Sequence, residues 1–404
     1  MKYLVLLGDG MADYPVPELG GKTPLQIAEK PHMDRLAAEG LFGRVKTIPP
    51  GLSPGSDVAN LAVLGYDPRK YYTGRSPLEA AGIGIELTPA DVAFRCNLVT
   101  LSGEQRFEDK TMVDYSAGEI GTEEASQLIK DLAARFDSAA TTFYSGVSYR
   151  HLLVWRNGPL NAELTPPHDI SDRVIGTYLP KGEGAGELLA LMTESQKILG
   201  YHPVNKERNA NNLPPANSIW LWGQGTKPRL PGFHEKYRVQ RGAVISAVDL
   251  AKGLGICAGL QVIEVPGATG NIHTNFAGKA EAALAAFRSG YDFIYLHIEA
   301  PDEAGHQGEV DHKIKAIEKI DAEVLGRLLK ELPAVSAEFK ILLLPDHPTP
   351  LSVRTHVTDP VPFVIYGSGV APAGPAYSFD EENAARTNLF IEPGHLLMDR
   401  FLGT

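Results

Sequence analysis

The chain has little cysteine, no excess of basic residues and no long apolar run. Only two cysteines, Cys96 and Cys257, occur in 404 residues. Both sit in apolar stretches with no Cys-x-x-Cys pairing, which predicts buried thiols in a reducing compartment. Lys and Arg total 38 against 49 Asp and Glu, a net charge of −11. That balance does not suggest the basic face a nucleic-acid binder needs, so no nucleic-acid partner is expected. The longest apolar runs, such as Tyr3–Leu7 and Ile341–Leu344, fall far short of the roughly 20 residues needed to span a bilayer. No membrane partner is expected either. The first residues read straight into a strand without a signal-peptide layout, and the expectation is a cytoplasmic protein. Lys22, in Gly20-Gly21-Lys22-Thr23, superficially matches the end of a P-loop. Val16 stands where the first glycine of that motif belongs, and Gly8-x-Gly10 is too short for a dinucleotide fingerprint, so no nucleotide is expected. Nothing in the sequence sets an oligomeric state.

What is present is ordinary globular composition: 43% hydrophobic and 22% charged residues, which argues against a mostly disordered chain. The length suits about two to three domains at roughly 100–200 residues each. Gly (41) and Pro (30) cluster just after apolar runs, the arrangement of strand ends feeding functional loops. Lys2–Leu7 reads as a buried strand, as do Tyr291–Ile298 and Phe339–Leu344. Between the last two, Lys313–Glu331 has strong helical periodicity. Pro31–Gly40 is a short amphipathic helix with Met33, Leu36 and Ala37 on one side, and Ser56–Leu64 is a second with Val58, Leu61 and Ala62 inward. Strands alternating with helices predict an α/β fold with a mainly parallel sheet flanked by helices.

The middle of the chain breaks this pattern. Thr122–Phe136 and Gly182–Leu199 read as helices and Thr141–Val154 as a strand with an irregular bend, with polar, proline-rich breaks at Ser102–Lys110 and Lys206–Pro215. These predict a smaller α/β domain, residues 96–235, inserted into a discontinuous core of residues 1–95 and 236–404.

Four short segments place acidic, His or Ser residues just beyond a strand or at a helix start: Gly8-Asp9-Gly10, Pro54-Gly-Ser56-Asp57, Glu299-Ala-Pro-Asp302-Glu-Ala-Gly-His306, and Pro345-Asp346-His347 followed by His356. In open α/β sheets, ligands bind at the carboxyl ends of the strands. Each segment alone has a plainer reading. Asp9 is a turn residue, Ser56 a helix N-cap, Asp302 and His306 a solvated pair in a loop that Pro301 and Gly305 favour, and Asp346-His347 an exposed turn. His297, within an apolar run, reads as packed and not ligating. Together the segments are harder to dismiss. Three Asp and three His supply O and N ligands without thiolates, which suits Mn²⁺ or Zn²⁺. Six ligands and a serine exceed one tetrahedral ion and suit a two-metal site. A metal-bound serine at a helix N-terminus would become a nucleophile toward phosphate, implying a phosphoserine intermediate.

The order Asp9, Ser56, Asp302-x-x-x-His306, Asp346-His347, His356 resembles the metal and nucleophile set of the alkaline phosphatase superfamily. The motifs Leu7-Gly-Asp-Gly-Met11, Pro54-Gly-Ser-Asp-Val-Ala-Asn60, Ser76-Pro-Leu-Glu-Ala-Ala-Gly82, Val265-Pro-Gly-Ala-Thr-Gly270 and Glu299-Ala-Pro-Asp-Glu-Ala-Gly-His306 are closer still. Together they resemble the archaeal-type cofactor-independent phosphoglycerate mutases over nearly the whole chain. The resemblance implies an alkaline-phosphatase-like core, two divalent ions (Mn²⁺, with Zn²⁺ or Co²⁺ as alternatives), and no 2,3-bisphosphoglycerate. It implies one ion on Asp9, Ser56, Asp346 and His347 and the other on Asp302, His306 and His356, with Ser56 transiently phosphorylated. The partner would be a small phosphorylated metabolite, phosphoglycerate, and the family's insert swings over its metal domain.

A mutase must also hold glycerate and protonate two hydroxyls, which requires cations and an acid/base group. The insert offers Arg150, His168, Asp169 and Arg173, and the segment Trp222-Gly-Gln-Gly-Thr-Lys-Pro-Arg229 adds Lys227 and Arg229. Asp169, in Pro166-Pro-His-Asp-Ile170, is the acid/base candidate by resemblance to an Asp-containing loop of the family's insert. Two other readings keep the same site. One is another phosphoryl-transfer enzyme, such as the homoserine kinase proposed for some bacterial relatives or a metal-dependent phosphatase or phosphodiesterase. The other is a metal-stabilised binding protein without turnover, against which the retained Ser56 argues.

Overall fold

A computed structural model describes residues 1–372, 374 and 377–403. The chain divides into two units: residues 1–72 with 229–404, and residues 73–228. The expected boundaries at 95/96 and 235/236 therefore move toward the N-terminus, and the physical reason is strand pairing. Asp91–Leu101 pairs antiparallel with Arg150–Arg156 and with Ser218–Gly225, so the whole strand belongs to the second unit. The helix Ser76–Gly82 goes with it, because Ala80 joins Ala93 and Leu152 in one buried cluster.

The first unit is built on an eight-stranded sheet. Its order is Gln261–Val262, Gly242–Ile245, Phe293–Ile298, Lys2–Gly8, Phe339–Leu344, Val361–Gly367, Leu41–Val45 and Phe390–Ile391. Only Val361–Gly367 runs against the others. Lys2–Gly8 is central, and its alternating side chains, Leu4 and Leu6 on one face and Val5 and Leu7 on the other, are all buried. Both faces of a parallel sheet must be covered, which is why its strands are apolar without alternation. Leu4, Leu6, Ile294, Leu296, Ile341 and Leu343 form one core with Met33, Leu36, Phe276, Leu284 and Leu328 from the flanking helices.

The topology decides where the chemistry arrives. Lys2–Gly8, Phe293–Ile298 and Phe339–Leu344 are adjacent and parallel, so the residues following them emerge at one edge: Asp9, Glu299 to His306, and Asp346-His347. Leu41–Val45 ends at the same edge and leads to Ser56. Because Val361–Gly367 runs the other way, the segment before it, with His356, also lies there.

Several local readings change. Lys313–Glu331 is part of a longer helical run, Val310–Lys319 and Gly326–Val335 joined by a wider π turn at Ile320–Leu325. There the buried Asp321 accepts from the backbone N–H of Met33 at 2.7 Å. Thr141–Val154 is not one bent strand but a hairpin, Thr141–Tyr144 against Arg150–Arg156. The helix expected from Gly182 starts at Ala185, after a two-residue strand Lys181–Gly182. The break at Lys206–Pro215 is partly the helix Pro203–Ala210. Cys96 is buried, whereas Cys257 is only half-buried. No helix among the described residues is long and apolar enough to cross a membrane.

The second unit packs helices Thr122–Phe136 and Ala185–Leu199 on one face of its sheet, through Leu128, Leu132, Leu188, Met192 and the fully buried Trp220.

Candidate active site

All seven residues expected at the metal centre meet at that sheet edge. Asp9, Asp346 and His347 are fully buried, Asp302 and Ser56 nearly so, and His306 and His356 half-buried. They form two groups. His347 Nε2 lies 3.1 Å from Ser56 Oγ, 3.4 Å from Asp346 Oδ2 and 3.6 Å from Asp9 Oδ1. Asp302 lies 3.3 Å from His306 Nε2 and 3.5 Å from His356 Nε2, and the two ring nitrogens are 2.9 Å apart.

Two plain readings of these motifs fail on geometry. Ser56 is not the N-cap of its helix. Gly55 takes that position with no side-chain cap, and Ser56 opens Ser56–Val63 with its hydroxyl turned to His347. Asp302 and His306 lie on a helix, Ala300–Gln307, and not in a loop. Pro301 occupies the first turn, where its missing N–H costs nothing, and Gly308 closes the helix in the left-handed conformation at φ 74°. The i, i+4 spacing then puts both side chains on one face. Gly10, at φ +62°, makes the close approach possible, since a Cβ there would sit 2.7 Å from the Asp302 Cα.

The electrostatics are those of a site built for cations. Burial first, then the charges of Asp346, Glu299 and Asp302, push the Asp9 carboxyl well above its usual range. Burial and neighbouring carboxylates likewise raise Asp346 to about 6 and Glu299 to about 7. Burial opposes the charged forms of His306 and Asp302. Their mutual attraction still holds His306 up at about 9 and Asp302 well below the carboxylate range. Burial keeps the His347 ring neutral, the form that ligates. Asp9 Oδ1 has no hydrogen-bond partner among the described residues. A fully buried, unpartnered carboxylate oxygen facing an imidazole nitrogen is costly unless a cation completes it. The residues fit divalent ions.

Several supporting residues escaped the motif reading. Thr349 donates to Asp302 Oδ1 at 2.5 Å and lies 3.2 Å from His347 Nδ1, linking the two groups. Asn60 Nδ2 donates to Asp346 Oδ2 at 2.7 Å and to the Ser56 carbonyl at 2.8 Å, and its own oxygen accepts from Tyr295. The spacing Ser56 to Asn60, one helical turn, was a usable signal. His297 is buried as expected, but its Nε2 lies 2.8 Å from Asp9 Oδ2. Burial and the Lys279 ammonium lower its pKa to about 3, so the ring is neutral.

Comparison with known proteins shows the family. The sequence model described as 2,3-bisphosphoglycerate-independent phosphoglycerate mutase matches residues 37–205. A protein of Geobacter sulfurreducens named as a probable enzyme of that kind is 53% identical over 402 residues, covering 100% of both chains. The chain belongs to the 2,3-bisphosphoglycerate-independent phosphoglycerate mutase family. Among solved structures, a protein from Pyrococcus horikoshii matches with a TM-score of 0.80 at 31% identity, covering 100% of this chain and 97% of that one. The cofactor-independent phosphoglycerate mutase of Thermoplasma acidophilum matches with a TM-score of 0.60 at 28% identity, covering 100% and 99%.

For a phosphoglycerate mutase of this family, the second unit is where substrate contacts were expected. Arg150 opens its strand, exposed, with its guanidinium over the Tyr149 ring at 5.1 Å. His168 and Asp169 sit in the turn Pro167–Ile170, where His168 stands edge-on to Trp222 at 5.3 Å and 3.7 Å from Asp169. Arg173 is exposed and donates to the Tyr178 hydroxyl at 3.2 Å. Lys227 lies on an exposed loop, and Arg229, expected in the insert, falls in the first unit. The motif reading did not consider Arg95, which is buried with its guanidinium over the same Trp222 indole at 5.7 Å. Arg95 pairs with Glu79, which also accepts from Arg75 at 2.9 Å. Burial opposes the Glu79 charge, but the two guanidinium groups hold its carboxyl at about 2.

Proposed function

We propose that the chain interconverts 3-phosphoglycerate and 2-phosphoglycerate without 2,3-bisphosphoglycerate, through phosphorylated Ser56. The reading is carried by one observation, the buried Ser56 Oγ turned away from capping its helix and aimed at His347 Nε2, 3.1 Å distant, amid the acidic cluster. The 53% identity over 402 residues to a family member supports it.

In this scheme Ser56 Oγ, its proton given up to water beforehand, attacks the phosphorus of 3-phosphoglycerate as the alkoxide, and the bond between phosphorus and the C3 oxygen breaks. That oxygen takes a proton from Asp169. The C2 hydroxyl then returns a proton to Asp169 and attacks the phosphorus of phospho-Ser56, and the bond to Oγ breaks, giving 2-phosphoglycerate and the Ser56 alkoxide again. Asp9, Ser56, Asp346 and His347 would hold one divalent ion and Asp302, His306 and His356 the other, with Mn²⁺ favoured and Zn²⁺ or Co²⁺ as alternatives. Such ions would acidify the serine hydroxyl and screen the phosphate charge. His347 keeps its Nδ1 toward Thr349, leaving Nε2 directed at Ser56. Asn60 holds both the Ser56 carbonyl and Asp346, so nucleophile and ligand move as one. In the second unit, the charges of Arg75 and Arg150 both act on Arg95, against the single carboxylate of Glu79. That surplus of positive charge suits a substrate carboxylate or phosphate, with Arg150, His168, Arg173, Lys227 and Arg229 as further contacts.

The test is purified protein with 3-phosphoglycerate and Mn²⁺, without ATP or 2,3-bisphosphoglycerate. Formation of 2-phosphoglycerate is the expected result. Free phosphate alone would assign a phosphatase, and strict dependence on ATP and homoserine a kinase. Asp169→Asn is expected to lower mutase turnover by at least ~10²-fold, the lower range for a lost acid/base group, with bound metal unchanged by elemental analysis. Wild-type turnover in that variant would remove Asp169 from the scheme.

A further inference from the structure

The two oxygens of Asp9 are treated differently. Oδ1 faces His347 Nε2 at 3.6 Å and has no hydrogen-bond partner among the described residues, while Oδ2 lies 2.8 Å from His297 Nε2. With Asp9 ionised, as a metal ligand must be, its carboxylate only accepts, which assigns the proton of this bond to His297 Nε2. In a neutral ring Nδ1 is then an acceptor, and its neighbour is Ser246 Oγ at 3.1 Å. That oxygen already accepts the Val248 N–H at 3.0 Å, and its single proton is free to go to His297. The three bonds from Val248 to Ser246, from Ser246 to His297 and from His297 to Asp9 Oδ2 then all run in one direction, and Asp9 Oδ1 is left over.

The fold fixes this chain from both sides. His297 is paired with Leu7 across the sheet, two residues before Asp9, and Ser246 follows a strand whose Ile245 pairs with Leu296. Lys279, fully buried, donates to the His297 carbonyl at 3.1 Å. Ser246 and His297 are themselves only 2% and 1% exposed, so water does not compete for these bonds.

We propose that Ser246 and His297 form a positioning relay that occupies Asp9 Oδ2 and presents Oδ1 alone to a divalent cation. The inference rests on the reading of Asp9 as a metal ligand. Hydrogen-bonded partners of ligating groups fix ligand orientation, and their loss typically weakens metal binding by about 10–100-fold. The His297 ring nitrogens face Ser246, Asp9 and Glu299 and not the expected nucleophile, so its effect reaches the site through Asp9.

The experiment is Mn²⁺ titration of metal-stripped, full-length protein by calorimetry, with ions per chain counted by elemental analysis and thermal melting of each stripped variant as the folding control. His297→Leu should weaken one of two binding events by about 10–100-fold. His297→Gln, which can offer an amide N–H to Oδ2, should recover most of that loss. Ser246→Ala, a small deletion that leaves the ring in place, should give a weaker loss of the same event and keeps the test open should His297→Leu fail to fold. Wild-type affinity in both His297→Leu and Ser246→Ala would overturn the relay, as would a loss equally large in His297→Gln, which would assign packing alone. Asp9, His297 and Glu299 could bring ligand atoms within 4.8 Å of one another. A third ion per chain that disappears with His297→Leu would therefore make His297 a ligand and also overturn the relay. Asp9→Asn separates the two levels: unchanged Mn²⁺ binding there refutes Asp9 as a ligand, whereas weakened binding there with intact binding in His297→Leu refutes only the relay.

Discussion

Ser56→Ala should leave a folded protein whose mutase turnover falls by on the order of 10⁶, the scale of losing a covalent nucleophile. Were Ser56 a helix cap, the same change would cost about 0.5–2 kcal/mol of stability and spare the chemistry. The cap position belongs to Gly55, and Ser56 Oγ spends its contact on His347. Its removal therefore deprives no backbone N–H of a cap, and the melting temperature should stay close to that of the wild type. The neighbouring acid cannot take over. Asp57 Oδ2 accepts from the Tyr72 hydroxyl at 2.5 Å, and Oδ1 accepts from the Val58 N–H at 2.9 Å. Wild-type and variant protein are incubated with phosphoglycerate and quenched, and phosphate is mapped by peptide mass spectrometry. Phosphate is expected on the Ser56 peptide of the wild type only. A folded Ser56→Ala protein that still interconverts the two phosphoglycerates would end the phosphoserine mechanism.

Asp9, Asp302, Asp346 and His347 were legible as candidate ligands because they follow closely on strongly apolar strands, and parallel topology carries such positions to one edge whatever their separation in the chain. The strands Lys2–Gly8 and Phe339–Leu344 are apolar because they are central and covered on both faces. That same burial made them visible. The supporting residues were not legible for the complementary reason. His297 looks like one more buried strand residue until Ser246, 51 positions away, is placed beside it. Thr349 gains meaning only from Asp302, 47 positions earlier. Such pairings are set by how distant segments come together in the fold and leave no local signature.

Proline and glycine misled at Ala300–Gln307 because both are tolerated where they stand. Pro301 is in the first turn, and Gly305 is where the helix passes the Thr349 backbone, 2.5 Å from where a Cβ would lie. The inserted unit was visible as a change of pattern, but its edge was not. Ser76–Gly82 reads like any other helix of the core, and only its packing with Ala93 and Leu152 assigns it to the second unit.

Stripping divalent ions should abolish turnover, and Mn²⁺, Co²⁺ or Zn²⁺ should restore it better than Mg²⁺. The donor set carries the argument. Three imidazoles, His306, His347 and His356, stand among Asp9, Asp302 and Asp346. Nitrogen donors favour the transition ions, whereas Mg²⁺ prefers oxygen and dehydrates reluctantly. Removal should also lower stability. Like charges of Asp9, Asp346, Glu299 and Asp302 are crowded in a buried space and raise the Asp9 pKa, after burial itself. Ions that bind only the folded state relieve that crowding, and at about 100 times the dissociation constant they add ~2.7 kcal/mol to the free energy of unfolding. Melting curves of stripped and Mn²⁺-loaded protein should therefore separate, while Ser56→Ala, which keeps the imidazoles and carboxylates, should still respond to Mn²⁺. Full activity in protein with no metal detectable by elemental analysis would remove the two-ion site and leave Ser56 without a means of activation.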